Sequence, residues 1–465
     1  MVAARGRSWL TALALAAASR IAAQSTAPAP AATPATLDAY VNEAMRANLG
    51  LAEQRLMGDR ADVAVRQAHG SYLPSIGFDA SYAQSSGYVL DFGKLVDPAY
   101  ERLNQLTPSA PYPTNVDLRL PLTQQTGLHL QQPLYQPAIS ATNELARTQR
   151  DQQDVQVQMS ERRLAADVRT AYLNLARATR VEALYRETQP LVAENVRVSE
   201  RLVANGSAAP DIVLRAQAEQ SDVDQQLAAA AEHTSAAREY FNLLLDRPAD
   251  GSIDVLSDST LAAAFAGPIV PLDEALRTAL NRREEFRQID LGEDATKTQE
   301  RLASAGTQPS VAASIDYGIQ GSEYRISGDR FAIATLNLQW NFFDGGQDAA
   351  RRQEASIEGS LLRVQRRELE RQVTLEVMQA REAAEVAQTA IATAKARQAS
   401  AVRSFQLVSK RYAEGLATLV EFIDARTSAT SAGINLIITT YDYYASRVEF
   451  DRAAALYPQQ LPPPR

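Results

Sequence analysis

The stretch Leu336-Asn337-Leu338-Gln339-Trp340-Asn341-Phe342-Phe343-Asp344-Gly345-Gly346-Gln347 changes its pattern in the middle. Up to Phe342 every second residue is apolar, and asparagine and glutamine lie between. An Asp-Gly-Gly turn then opens a long run of helix-forming residues. The alternation reads as a strand with one greasy and one wet face. Over roughly ten residues it is the signature of a membrane barrel, apolar toward lipid and polar toward a wet lumen. The competing reading is a soluble antiparallel sheet with one buried face.

Working outward, the chain is written twice. Leu37-Asp38-Ala39 recurs as Leu272-Asp273-Glu274, Pro74-Ser75-Ile76 as Pro309-Ser310-Val311, and Tyr82 as Tyr317, each 235 positions on. Leu128, Leu130, Leu134 and Tyr135 match Leu336, Leu338, Phe342 and Phe343 at an offset of 208, so the first copy carries 27 extra residues (235 − 208) within about 86–122. Val168, Ala171 and Gly206 then match Val377, Ala380 and Gly415 at 209. Collinear blocks with stable offsets predict two structural repeats, 37–270 and 271–455. Each begins with one helix (about 37–70 and 272–305), continues with two strands and ends in a long helical hairpin.

The other strands alternate in the same way. Ile76, Phe78, Ala80 and Tyr82 share one face, as do Val311, Ala313, Ile315, Tyr317 and Ile319. Tyr82, Tyr135, Tyr317 and Trp340 are candidates for aromatics at a membrane–water boundary. Four such strands cannot close a membrane barrel, which starts at about 8 strands. An open edge in lipid leaves backbone groups with neither water nor a partner. A spanning sheet must therefore be shared, two copies supplying eight strands or three supplying twelve. The 27 extra residues, lying between two strands, are expected to form a longer extracellular loop that plugs or decorates the outer mouth.

Ala138 to Asn205 reads as helix and reaches on the order of 100 Å at about 1.5 Å per residue, with a kink expected at Pro190. Leu164, Val168, Ala171, Leu175 and Ala178 are spaced 4, 3, 4, 3, and so is the series Val373, Val377, Ala380, Ala384, Ala387, Ile391, Ala394. That is a coiled-coil seam. The fold class is thus mainly α with β: coiled-coil hairpins plus four strands per chain.

Bulk properties narrow the function. Of 465 residues, 45% are hydrophobic and 22% charged, within the ordinary globular range. Residues 1–23 read as a secretory signal, with Arg5 and Arg7 before a short apolar run. Losing its three arginines moves the net charge from −8 to −11, which argues against nucleic acid as a partner. Residues 24–36 and 456–465 read as a disordered linker and tail. The chain has no cysteine and three scattered histidines. No phosphate loop, metal cluster or Ser-His-Asp set is recognisable, so neither enzymatic activity nor a cofactor or metal is expected. The serious rival to a membrane protein is a soluble periplasmic coiled-coil adaptor or scaffold.

Leu338 to Gln347, with its Phe-Asp-Gly-Gly turn at Asp344, Gly345 and Gly346, resembles the TolC family of outer-membrane efflux proteins. Lys410-Arg411-Tyr412-Ala413-Glu414-Gly415, followed by Thr418, Glu421 and Ala425, is similar to that family's second helical tip, and Arg201 to Ala216 to its first. The resemblance covers about 37–455. It implies a homotrimer with a twelve-stranded barrel in the outer membrane of a Gram-negative cell. It also implies a helical tunnel through the periplasm, docked to a periplasmic adaptor and an inner-membrane pump. The duct would pass small molecules passively, with drugs and toxic compounds as the default cargo, metal ions and proteins remaining open. It further implies that Glu421 and Asp424 ring a closed periplasmic aperture, that Tyr412 is a constriction tyrosine, and that Asp211 belongs to the gate. Glu421 can also be read as a helix cap, Asp424 as a solvated residue and Tyr412 as helix packing. Ala417 departs from the family's basic constriction residue, and Asp211 with Ile212 departs from its first-tip pattern. Gly206, Ser207, Ala208, Gly415, Leu416, Ala417 and Thr418 form turns at which small residues let another helical tip seat closely. They are the expected adaptor-facing surface.

Overall fold

The computed structural model describes residues 37–84, 90–116, 119–120, 124–321 and 329–456. The expected signal, the linker and all but the first residue of the tail lie outside them. Along the chain come α1 (Leu37–Ala47), α2 (Leu49–Gly70), β1 (Ser75–Tyr82), β2 (Leu90–Asp91), α3 (Phe92–Leu106), β3 (Arg119–Leu120) and β4 (Gln124–Tyr135). Then follow α4 (Pro137–Ala204), α5 (Asp211–Leu244), α6 (Asp258–Ala264), α7 (Leu272–Arg282) and α8 (Glu284–Ala305). Strands β5 (Ser310–Gly321) and β6 (Asp329–Gln339) and helices α9 (Gln347–Ala413) and α10 (Leu419–Ala453) complete the chain. At 68 and 67 residues, α4 and α9 each run about 100 Å. Helix α4 passes through Pro190 without interruption.

The single leading helix expected in each copy is instead two. The chain turns extended at Asn48 (ψ 124°) and at Arg283 (ψ 129°), and these two residues are themselves 235 positions apart. At Asn48 the cause is capping: its side chain accepts from the Leu51 N–H and donates to the Leu244 carbonyl. Arg283 has no such cap, and its guanidinium spans Glu285 at 2.6 Å and Glu376 at 2.5 Å.

The strands form one antiparallel sheet, in the order β1-β4-β5-β6. Its registers put Ile76, Leu130, Ile315 and Ala334 in one cross-strand row and Phe78, Leu128, Tyr317 and Ala332 in the next. Rows of the opposite face carry Ser75, Gln131, Ser314 and Thr335, and also His129 with Asp316, whose side chains meet at 2.5 Å. Phe331 and Ile333 are apolar exceptions on that face. Among the described residues much of the greasy side is exposed: Ile76 is 74% exposed and Leu336 69%. Strand β6 ends at Gln339, so Trp340 and Phe342 stand beyond the ladder although the alternation runs on. The Trp340 indole N–H donates to the Thr307 carbonyl instead. The extra segment between β1 and β4 contains α3, a helix that composition alone did not reveal. It is fixed by the Asp91 cap on Lys94 N–H and by Asn104, which donates to and accepts from the backbone of Tyr112.

Two hydrophobic clusters lie where the leading helices cross the long ones, and equivalent positions build both. Ala44, Leu51, Leu164, Val168, Ala171 and Phe241 belong to the first; Ala279, Phe286, Val373, Val377, Ala380 and Phe450, at offsets of 235 and 209, belong to the second. The first is enlarged by Tyr40 and Tyr172, whose rings lie 5.2 and 5.6 Å from that of Phe241. Phe241→Ala and Phe450→Ala each delete a ring with no exposed surface. Each is expected to destabilise the chain by about 3–5 kcal/mol, read as a lower unfolding midpoint in detergent. A silent Phe450→Ala would contradict the structural equivalence of the two clusters.

Candidate functional site

The hairpin tips are built by one backbone device used twice. Helix α4 ends as Gly206 turns left-handed (φ 68°), its N–H donating to Val203 O at 3.0 Å and that of Ser207 to Leu202 O at 2.8 Å. Helix α9 ends as Gly415 does the same (φ 74°), with Gly415 N–H to Tyr412 O at 3.0 Å and Leu416 N–H to Arg411 O at 2.7 Å. Both are the paired closing bonds of a Schellman motif, for which a residue without Cβ is suited. Gly206, Ser207, Gly415 and Leu416 are exposed, while Ala208 and Ala417 are half-buried.

The restarts differ. Thr418 closes a capping box: its Oγ1 accepts from Glu421 N–H at 3.2 Å, and its own N–H donates to Glu421 Oε2 at 2.7 Å. The Glu421 carboxyl is held below its usual range by the N–H and hydroxyl of Thr418. Helix α5 starts after Pro210 with no side-chain cap, and Asp211 on its first turn lies 3.4 Å from Arg215. The second tip thus brings Tyr412, Gly415, Leu416, Ala417, Thr418 and Glu421 together, with Asp424 exposed on the following turn. Asp211 belongs to the other tip. The Tyr412 ring stacks on Phe422 with centroids 5.0 Å apart, Phe422 touches Phe405, and the Tyr412 hydroxyl is buried without a hydrogen-bond partner.

Two residues that sequence reasoning did not pick link the two hairpins near their tips. Arg426, only 5% exposed, pairs with Glu219 of α5. A signal existed: Leu419, Phe422, Arg426, Ala429 and Gly433 share one helical face, and an arginine on such a face needs a partner.

At the other end of α9, Asp344, Gly345 and Gly346 join it to the sheet. Both glycines are left-handed (φ 72° and 87°), and the Asp344 carboxylate accepts from Gly346 N–H at 3.0 Å and Asp348 N–H at 2.6 Å. Tyr82, Tyr135, Tyr317 and Trp340 are all exposed on the sheet or just past its end. Among the described residues, no group of His, Asp or Glu is placed to hold a metal ion, and no helix is long and apolar enough to cross a membrane.

Comparison with known proteins agrees with this architecture. A family model described as outer membrane efflux protein matches residues 40–245 and 275–455, one block in each repeat. No curated protein matches the chain. Among solved structures it is similar to the outer-membrane channel OprN, with 19% identity over 90% of this chain and 89% of that one and a TM-score of 0.71. It is also similar to the CmeC outer membrane channel of Campylobacter jejuni (16% identity, 90% and 85% covered, TM-score 0.70). The Neisseria gonorrhoeae MtrE outer membrane channel is a third likeness (17% identity, 90% and 88% covered, TM-score 0.70). The soluble adaptor considered from the sequence does not fit these matches. With both repeats covered by one family model, the chain belongs to the outer membrane efflux protein family and has the fold of its outer-membrane channels.

Proposed function

We infer that this chain is one protomer of a passive exit duct, in which three copies close a twelve-stranded barrel and their long helices form the tunnel below it. The observation that carries this reading is the four-stranded sheet, whose outer strands β1 and β6 have one strand neighbour each among the described residues and whose apolar face is largely exposed, running directly into helices of about 100 Å. A periplasmic adaptor would seat on the tip turns around Gly206, Ser207, Ala208, Gly415, Leu416, Ala417 and Thr418. An inner-membrane pump would choose the cargo, for which small toxic compounds are the fitting class. The duct itself needs no catalytic step.

The gate in this reading is the second tip. Three copies bring the carboxylates of Glu421 and Asp424 to one narrow mouth, and their repulsion favours cations there. Tyr412, held against Phe422, narrows it from behind, while Asp211 adds charge at the neighbouring turn. In planar bilayers the mature protein is expected to give discrete, cation-preferring channels. Glu421→Ala with Asp424→Ala should raise conductance and reduce the cation preference, more visibly at low salt, where charges are less screened. Channels unchanged in both respects would remove the gate assignment, and absence of any channel would remove the duct.

The capping box adds a pH dependence with a definite sign. Because the folded state lowers the Glu421 carboxyl, its contribution is complete above the ordinary Glu value of 4.5 and is lost as pH falls through the lowered one. Amide exchange at 419–421 is therefore expected to quicken in acid beyond its intrinsic rate. In Thr418→Ala it should already be roughly fivefold faster at neutral pH, the size of a typical lost cap. Equal protection in both proteins at both pH values would contradict the box.

A further inference from the structure

One long face of α4 is left open between the helices that flank it. Asn174 on that face lines two adjoining hollows of about 680 and 670 Å³, each within the roughly 300–1,000 Å³ common for small-molecule sites. The hollow nearer the tips lies between α4, α5 and α10 and is floored by Ala178, Val181, Ala229, Ala230, Ile434 and Ile438. The one nearer the sheet reaches the start of α8 and the end of α10, and charged side chains such as Arg163, Asp167, Glu285 and Arg452 line it. Together they make one groove with an apolar end and a charged end. Its side of the helix layer is fixed by Tyr172, whose hydroxyl bonds the backbone of the segment between α5 and α7 at Asp254 and Leu256. Thr170 and Asn174 of the groove stand two residues to either side of Tyr172, about 160° round the helix from it. The groove therefore opens away from that segment.

The charges decide the guest. Arg162 is answered by Glu284 at 2.7 Å, Arg452 by Glu449 at 2.6 Å, Glu285 by Arg283 at 2.6 Å and Arg177 by Asp442 at 3.1 Å. Asp167 is the exception. Its contact with Arg163 is 3.8 Å long, and the two side chains are 50% and 83% exposed. Partial burial raises its carboxyl above the ordinary value, which Arg163 and Arg452 offset only in part. A cation arriving from solution relieves that cost, because an opposite charge close by favours the ionised carboxylate. We propose that this groove binds small amphipathic organic cations, with the positive head against Asp167 and the apolar body along Ala178, Val181, Ala229 and Ile434. An anion would meet Asp167 and Glu449 at the same place. The inference rests on the duct reading for one point only. In a passage that carries cargo, the segment bonded by Tyr172 is an added layer outside the helix wall, so the groove lies on the inner wall and its guest is cargo held in transit.

Rhodamine 6G, an amphipathic fluorescent cation, tests the site by its anisotropy when titrated into the protein in nanodiscs of zwitterionic lipid, with empty discs subtracted. Saturable binding is expected. Asp167→Asn should weaken it roughly tenfold, the size of a lost contact to a charged group, and Asp167→Glu should restore most of it. Ala229→Trp, at an exposed position of the apolar floor, should fill the groove and remove binding. Fluorescein, an anion of similar size, should not bind saturably. Undiminished binding in either Asp167→Asn or Ala229→Trp, with helical content kept, would overturn the site, and so would equal binding of fluorescein. Absence of saturable binding would overturn it too, and if that protein still forms channels in planar bilayers, the duct reading stands without it. Binding that is lost in both variants, in a protein that forms no channels, would keep the site and remove the duct.

Discussion

One constraint governs this molecule: among the described residues β1 and β6 are the outer strands of the sheet, each paired to another strand on one side only. In water such edges are tolerable, but in hydrocarbon each unpaired group costs several kcal/mol, and a sheet can stay there only by closing on itself. Four strands are too few to do so. The apolar rows through Phe78 and Ile76 make the watery alternative poor as well, since both side chains are largely exposed. In the assembly proposed above, sister chains would answer the edges and the greasy face together.

The helical half follows from duplication. One pattern of small and branched residues, set down twice, makes two clusters at equivalent crossings, and each anchors its leading helices to a long one. The copies then diverge where their surroundings differ. Tyr40 and Tyr172 fill the first crossing and bond the backbone of the connecting segment at Asp254 and Leu256; the second has Ala275 and Arg381 at those positions. At the tips the helix-ending glycine device is kept in both, but only the second retains a capped restart, with Ala209 standing where the other copy has Thr418.

Much of this was legible from residue order because the decisive signals are periodic. Period two marked the strands, spacings of three and four marked the seams, and the offsets marked the repeat. What was missed is local or non-local in instructive ways. The breaks at Asn48 and Arg283 carry no proline, and only the cap on Leu51 and the ion pairs to Glu376 make them visible. Helix α3 sits in a segment rich in proline and tyrosine, where composition suggested loop, and its Pro98 lies inside the helix. The ladder stops before Trp340 because the partner strand β5 begins at Ser310, opposite Gln339, a limit no single-strand pattern contains. At the tips, turn chemistry was readable, but the Arg426–Glu219 pair joins residues about 200 positions apart and appears only once α5 and α10 are side by side.

The central claim, that open sheet edges of one chain are closed by another, is tested most directly by amide exchange at the edges. In the membrane-embedded protein, the amides of β1 and β6 should be protected as strongly as those of β4 and β5, which already have partners on both sides. Rapid exchange along β1 and β6, with β4 and β5 slow, would leave the edges unpaired in the membrane and contradict the account.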